Sequence, residues 1–259
     1  MSSFTAGWLA LREPADAAAR SAALAAGFAG SAGRIVDLAS GTGANIRYLA
    51  PRLPDARRWL AVDRDRQLLA AASWPADTDV ATLPLDLSRA LDDLPLENGD
   101  LVTASALLDL VSESWLRRLA ARCAESNAGV LFALTYDGRI EWSPAEPGDG
   151  RVRELVNRHQ LRDKGFGPAL GPAAAAATVD AFGALGYGMH AEPSDWDLGL
   201  ESPALQEALM DGWIAAAAEI APGEADALRR WRERRRSHVA AGRSRLRVGH
   251  RDVAGRRGR

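Results

Sequence analysis

Two glycines and an acid carry the first chemistry legible in this chain. Gly41 and Gly43 punctuate the run Arg34-Ile35-Val36-Asp37-Leu38-Ala39-Ser40-Gly41-Thr42-Gly43-Ala44-Asn45. Glycines there permit a sharp turn and let a ligand approach the main chain closely. Asp63 closes a second apolar run, Trp59-Leu60-Ala61-Val62-Asp63. A carboxylate at a strand end can accept hydrogen bonds from both hydroxyls of a ribose. The pattern differs from that of a dinucleotide site. The third glycine position would be Ile46, and an acid, Asp37, precedes the turn. A pyrophosphate favours a clean glycine-rich helix start, whereas an acid suits a ligand with a positive amino group.

Specific elements must position these groups. Ile35, Val36 and Leu38 read as a parallel strand covered on both faces. Ile46, Tyr48, Leu49 and Leu53 continue at helical spacing. The turn therefore presents backbone N–H groups at the carboxyl end of the first strand, where open α/β sheets bind ligands. Strand and helix patterns then alternate to about Tyr136. Trp8 to Ala29 reads as one or two helices ahead of the sheet, with Pro14 at an early helix position. Asp137-Gly138, Pro144, Pro147 and Gly148-Asp149-Gly150 mark a break, and Gly165 to Pro168 and Gly171-Pro172 a second. Between them Val152 to Lys164 reads as a helix. Helices over 173–185, 205–220 and 225–241 follow, with a sixth strand from Gly186 and a last one over Arg245–Asp252.

The ordered motifs resemble those of the class-I S-adenosylmethionine-dependent methyltransferases. Asp37-Leu38-Ala39-Ser40-Gly41-Thr42-Gly43 is similar to their first motif, with Ala39 in place of one glycine, and Asp63 matches their second-strand acid. Thr82-Leu83-Pro84-Leu85-Asp86-Leu87 resembles the third motif, Asp100 to Asp109 the fourth-strand motif, and Gly129 to Thr135 the fifth strand. The resemblance spans about residues 30–137. It implies an α/β, Rossmann-like methyltransferase fold: a mostly parallel seven-stranded sheet with an antiparallel last strand and helices on both faces. It implies a helical cap over residues 1–30, then a methyltransferase domain over 31–259 with a helical insertion at about 143–171. It also implies S-adenosylmethionine as cofactor and S-adenosylhomocysteine as product. The cofactor contacts would be Asp37, Ala39, Ser40, Gly41, Gly43, Asn45, Asp63, Arg64, Asp86, Leu87, Ser105 and Ala106. Asp86 has a second reading, as the cap of a turn around Ser88-Arg89.

The same resemblance puts the methyl acceptor at the end of the fourth strand, near Ser105, Ala106, Leu107 and Asp109. Methyl transfer needs acceptor, methyl and sulfur in line, and a base where the acceptor must lose a proton. Asp109 is a candidate base or orienting group; its other reading is a helix cap or first-turn acid. Tyr136 ends the fifth strand facing the same cleft, unless Asp137-Gly138 makes it part of a turn. The insertion is basic, with Arg151, Arg153, Arg158, His159, Arg162 and Lys164 against Glu154 and Asp163. Arg158, His159 and Lys164 would suit an anionic group on the acceptor, or else form a solvated helix face. Asp109, Tyr136 and His159 are the catalytic candidates. Asp109, Tyr136 and Leu107 join Arg158, His159 and Lys164 as acceptor contacts. The histidines 159, 190, 238 and 250 lack metal-ligand spacing, and no metal is expected.

Composition sets the remaining bounds. Nearly half the residues are apolar and a quarter charged, as in ordinary globular proteins. The single cysteine, Cys123, excludes an internal disulfide and fits a reducing compartment. No basic-then-apolar leader is visible, and the alanine runs are too short to span a bilayer, so a cytoplasmic location without membrane contact is expected. Lys164 is the only lysine, and arginine supplies every other basic side chain, which with so much alanine points to a GC-rich, bacterial-type genome. From Arg229 onward arginines abound, opposed within the segment only by Glu233 and Asp252. That segment reads first as a helix pairing with acids elsewhere, and second as a nucleic-acid patch. The chain lacks an Asn-Pro-Pro-Tyr motif, a Pro-Cys nucleophile and paired glutamates of the protein-arginine type. A small-molecule acceptor is therefore the leading expectation. An RNA or tRNA methyltransferase and a non-catalytic interaction protein on the same fold are the alternatives.

Overall fold

The computed structural model describes residues 5–30 and 33–258. Residue 31, where the expected domain boundary falls, lies outside the described residues. The chain opens with α1 (Ala6–Ala19) and α2 (Ala22–Ala26). Thr5 caps α1 by accepting the Trp8 N–H at 3.1 Å. The helix thus begins earlier than Pro14 suggests. Pro14 lies inside it, where it leaves one carbonyl of the preceding turn without its usual donor.

Five parallel strands come next: β1 (Arg34–Leu38), β2 (Arg58–Asp63), β3 (Asp79–Pro84), β4 (Leu101–Ser105) and the start of β5 (Gly129–Ser143). The helices between them are α3 (Ala44–Leu49), α4 (Arg66–Ala70) and α5 (Glu113–Glu125). Then come α6 (Asp149–Gln160), α7 (Ala174–Gly183), β6 (Tyr187–Pro193), β7 (Trp196–Leu198), α8 (Pro203–Ile220), α9 (Ala225–Ala240) and β8 (Arg245–Arg257). The strand order is β3-β2-β1-β4-β5-β8-β6, with β7 also on β8. β8 runs antiparallel to β5, β6 and β7. The order reverses between β1 and β4. In an open α/β sheet, that point places a ligand crevice at the strand ends.

The sheet has eight strands rather than the seven expected. The difference lies in β5, which does not stop at Tyr136. Asp137-Gly138 forms a bulge in a continuing strand: Gly138 takes a positive φ, and the register against β8 shifts between Tyr136 and Ile140. The far half of β5 pairs with the first half of β8, which then has an edge for the short β7. This extension carries its own core, in which Ile140, Val152, Leu155, Leu209, Trp231 and Leu246 pack α6, α8 and α9 together. The main sheet is covered on one face by α5 and α7 and on the other by α2 and α3, with Phe132 and Trp59 among their fully buried side chains.

The arginine-rich end is built into this scaffold. Arg232 pairs with Asp211, Arg234 with Glu146 at 2.8 Å, and Arg236 with Glu207 at 3.6 Å. Arg235 is fully buried and pairs with Asp149. These acids come from elsewhere in the chain, as the first reading of the segment requires. No helix among the described residues is long and apolar enough to cross a membrane.

Candidate functional site

The glycine turn joins β1 to α3 at the reversal point of the sheet. Gly41 and Gly43 both take positive φ, 55° and 85°, a region that disfavours side chains. Ala39 also takes a positive φ, 52°. The position that carries glycine in the resembling motif therefore demands glycine's conformation here too, and Ala39 adopts it under strain.

Asp63 reaches the turn from the end of β2. Its carboxylate accepts the N–H of Gly41 at 2.8 Å and of Asp65 at 2.8 Å. It is half-buried, and each oxygen keeps a further lone pair for a ligand hydroxyl. Beside it lies an open groove of about 620 Å³ lined by Arg64, Gln67, Pro84, Leu85 and Asp86. Asp86 accepts Ser88 N–H at 3.0 Å and Ser88 Oγ–H at 2.6 Å, so it does cap the following turn. Those bonds hold its carboxyl below the usual range. The Leu87 side chain is buried in the main core, and Leu85 lines the groove.

Asp37 lies beneath the turn. It is fully buried and accepts hydrogen bonds from Ser40 Oγ at 2.6 Å, Thr103 Oγ1 at 2.9 Å and Asn45 Nδ2. These three donors bind it beneath the turn, tying β1 to β4 and α3. Burial raises its pKa.

α1 closes over the turn. A side-chain carbon on Gly41 would lie 3.0 Å from Leu9, and one on Gly43 2.5 Å from Trp74. Arg47 of α3 ties these parts together. It grips Glu13 of α1 at 2.6 and 2.7 Å and donates to the carbonyls of Thr42 at 2.6 Å and Ser73 at 2.9 Å. Between α1 and α3 a cavity of about 210 Å³ remains, lined by Glu13, Asp16, Arg20, Asn45, Tyr48 and Ser105 among others. Sequence reasoning missed the α1 residues of this wall. Glu13, Asp16, Ala17 and Arg20 share one helical face, and three charges on a face of an alanine-rich helix were the available signal.

At the end of β4, Ala106 takes a positive φ of 53° and Leu107 is buried. The turn over residues 108–110 brings Asp109 inward. Ser112 caps α5 by accepting the Trp115 N–H, so Asp109 is not that cap. Asp109 is 6% exposed, its Oδ1 has no hydrogen-bond partner, and burial pushes its carboxyl up to about 6. Arg12 and Lys164 are the cations that act against that rise. Lys164 Nζ lies 3.0 Å from His159 Nδ1, and His159 Nε2 lies 3.4 Å from Glu219. Lys164 thus acts on Asp109 through space, and His159 lies beside Lys164. Arg158 lies on the exposed face of α6 with Arg151, where both act on Glu224. Tyr136 is buried beside Asp109, but its hydroxyl donates to Asn157 at 2.7 Å and burial raises its pKa. It braces α6 against β5. His250 of β8, which sequence reasoning passed over, stacks 4.9 Å from Trp196 and 6.2 Å from Tyr136.

No protein-family model and no curated protein sequence matches this chain. Solved structures do. It superposes on a chain from Anaeromyxobacter dehalogenans, assigned provisionally as a type II methyltransferase, with a TM-score of 0.51 and 18% identity. That match covers 92% of this chain and 96% of the other. YcgJ of Bacillus subtilis gives a TM-score of 0.50 at 14% identity, over 91% of this chain and 99% of YcgJ. Mitomycin 7-O-methyltransferase MmcR gives 0.48 at 16% identity, over 97% of this chain and 55% of MmcR, so this chain spans about half its length. The protein has the Rossmann-like methyltransferase fold.

Proposed function

We propose that this chain is an S-adenosylmethionine-dependent methyltransferase acting on a small molecule. The observation that carries the reading is Asp63 docked on the glycine turn at the sheet's reversal point. The residues present suit the cofactor. Asp63 offers two carboxylate oxygens to ribose hydroxyls, and the groove between Arg64 and Asp86 suits a flat base. Ser40, Gly41 and Gly43 shape the turn, while Asn45 and Ser105 face the cavity under α1. The bound cofactor would supply an electrophilic methyl group on a sulfonium.

The chain's own contribution is to bind, orient and exclude water. Asp109 holds or removes the acceptor's proton through Oδ1, the atom left without a partner. A carboxyl with a pKa of about 6 suits that exchange near neutral pH. Arg12 and Lys164 limit the cost of its charge and favour an acceptor that carries an anionic group. Enclosure of Asp109 beneath these elements favours a small acceptor over a polynucleotide. Arg229, Arg232, Arg234, Arg235 and Arg236 of α9 pair with acids, which weighs against an RNA groove.

The test is methyl transfer from labelled cofactor into a cell extract separated into small-molecule and RNA fractions. Label in the small-molecule fraction that disappears with Asp63→Ala is the expected result. Label confined to RNA would overturn the acceptor class.

A further inference from the structure

Arg20 is an anomaly in the charge balance of this fold. It ends α1 with 8% exposure, and its Nε has no hydrogen-bond partner. Among the described residues its guanidinium makes no ion pair or hydrogen bond to a side chain. It lies over the Tyr48 ring, 4.0 Å away, with Arg52 on the same ring at 3.8 Å, and Asp252, Asp37 and Asp16 act on it only through space. A buried cation without a partner is costly, so such groups are normally paired.

The acids around Arg20 are already engaged. Asp16 accepts from Arg12 at 2.9 Å and from Trp196 Nε1 at 3.1 Å. Glu13 is held by Arg47 through both oxygens. Asp37 has its three donors, and Asp252 accepts the N–H groups of Leu134 and Ser21, each at 2.8 Å. The cavity that Arg20 lines therefore holds no acid left free to pair with it. It is also small. At about 210 Å³ it falls below the usual 300–1,000 Å³ of a whole-ligand pocket and suits a carboxylate on a short chain. Glu13 and Asp16, paired with Arg47 and Arg12, lie on the same wall with Arg52, and Asn45 Oδ1 has no partner. A wall with an unmatched cation, two acids and a free amide oxygen is complementary to an amino-acid zwitterion.

We propose that Arg20 grips the α-carboxylate at the amino-acid end of the cofactor, with Asn45 Oδ1 and the Glu13–Asp16 side facing its ammonium group. The assignment rests on the methyltransferase reading above. It moves recognition of the amino group from Asp37, which the fold has enclosed, to the face of α1.

Two ligands separate the possibilities: S-adenosylhomocysteine, and 5′-methylthioadenosine, which shares the nucleoside but lacks the amino-acid end. Calorimetric titration of the whole protein should show the first binding more tightly. In Arg20→Met, affinity for S-adenosylhomocysteine should fall about 10- to 100-fold, while that for 5′-methylthioadenosine holds. The ligand-free variant should melt no lower than the parent, since an unpaired buried charge has gone. Arg20→Lys keeps the charge but not the fork. It should lose part of the same affinity, and it carries the test should Arg20→Met not fold. Unchanged S-adenosylhomocysteine binding in a folded variant overturns the assignment and leaves the cofactor reading intact. Equal loss for both ligands overturns it as well. A parent protein that binds neither ligand overturns both readings.

Discussion

Asp109 carries the proposed proton exchange, and its burial makes a prediction that needs no acceptor. Its pKa is raised from 3.8 to about 6, so folding favours the protonated form. A raised pKa contributes stability that is complete below about pH 4 and lost as pH climbs through 6. At pH 8 the ionised carboxylate costs up to about 3 kcal/mol, which Asp109→Asn should recover. Thermal melts should place the variant above the parent at pH 8 and level with it at pH 4. With an acceptor in hand, turnover should fall roughly 10²–10⁴-fold. Equal melting at both pH values together with full turnover would make Asp109 an ordinary buried polar residue. The sequence identified Asp109 by its place after the fourth-strand motif. It could not show whether the carboxylate would cap a helix or turn inward, because that depends on Ser112 taking the cap.

At the scale of elements, β8 decides more than its position at the end of the chain suggests. It lies between β5 and β6 and also supports β7. Its Asp252 accepts the N–H of Leu134 at a β5 residue with positive φ and the N–H of Ser21 where α1 meets α2. A chain ending at Gly242 should therefore be insoluble or lack a cooperative melt, because it leaves a sheet edge, a bulge and the cap unsupported at once. A soluble truncated protein that still bound S-adenosylhomocysteine would refute this role. The period-two pattern Arg245-Leu246-Arg247-Val248 made the strand legible, as the apolar runs of β1, β2 and β4 did for theirs. The β5 bulge was not legible. Asp137-Gly138 has the chemistry of a turn, and only pairing with β8 on its far side makes it an irregularity within a strand. β7 was hidden for the same reason, since three residues become a strand only when an edge is offered.

Across the whole molecule, the extension beyond the main sheet is clamped by its own buried polar contacts. Arg235 of α9 pairs with Asp149 at the start of α6 and donates to the Pro144 carbonyl at 2.7 Å, and Trp231 Nε1 reaches the same aspartate at 2.8 Å. Arg235→Ala would leave Asp149 short of its main counter-charge and should cost about 3–5 kcal/mol in denaturant unfolding; a loss below about 1 kcal/mol would show the clamp to be incidental. The proposed cofactor half of the site was readable from residue order because it is local to three strand ends. The α1 wall with Arg20 and the stacking of His250 were not, since they depend on how the cap and the last strand fold back. The central claim is that the glycine turn and Asp63 bind the cofactor, and calorimetric titration with S-adenosylhomocysteine tests it most directly. Binding by the parent protein, weakened by about 2–4 kcal/mol in a folded Asp63→Ala variant as two charge-assisted hydrogen bonds are lost, is the predicted result. Equal affinity in parent and variant, or no binding by either, would contradict it.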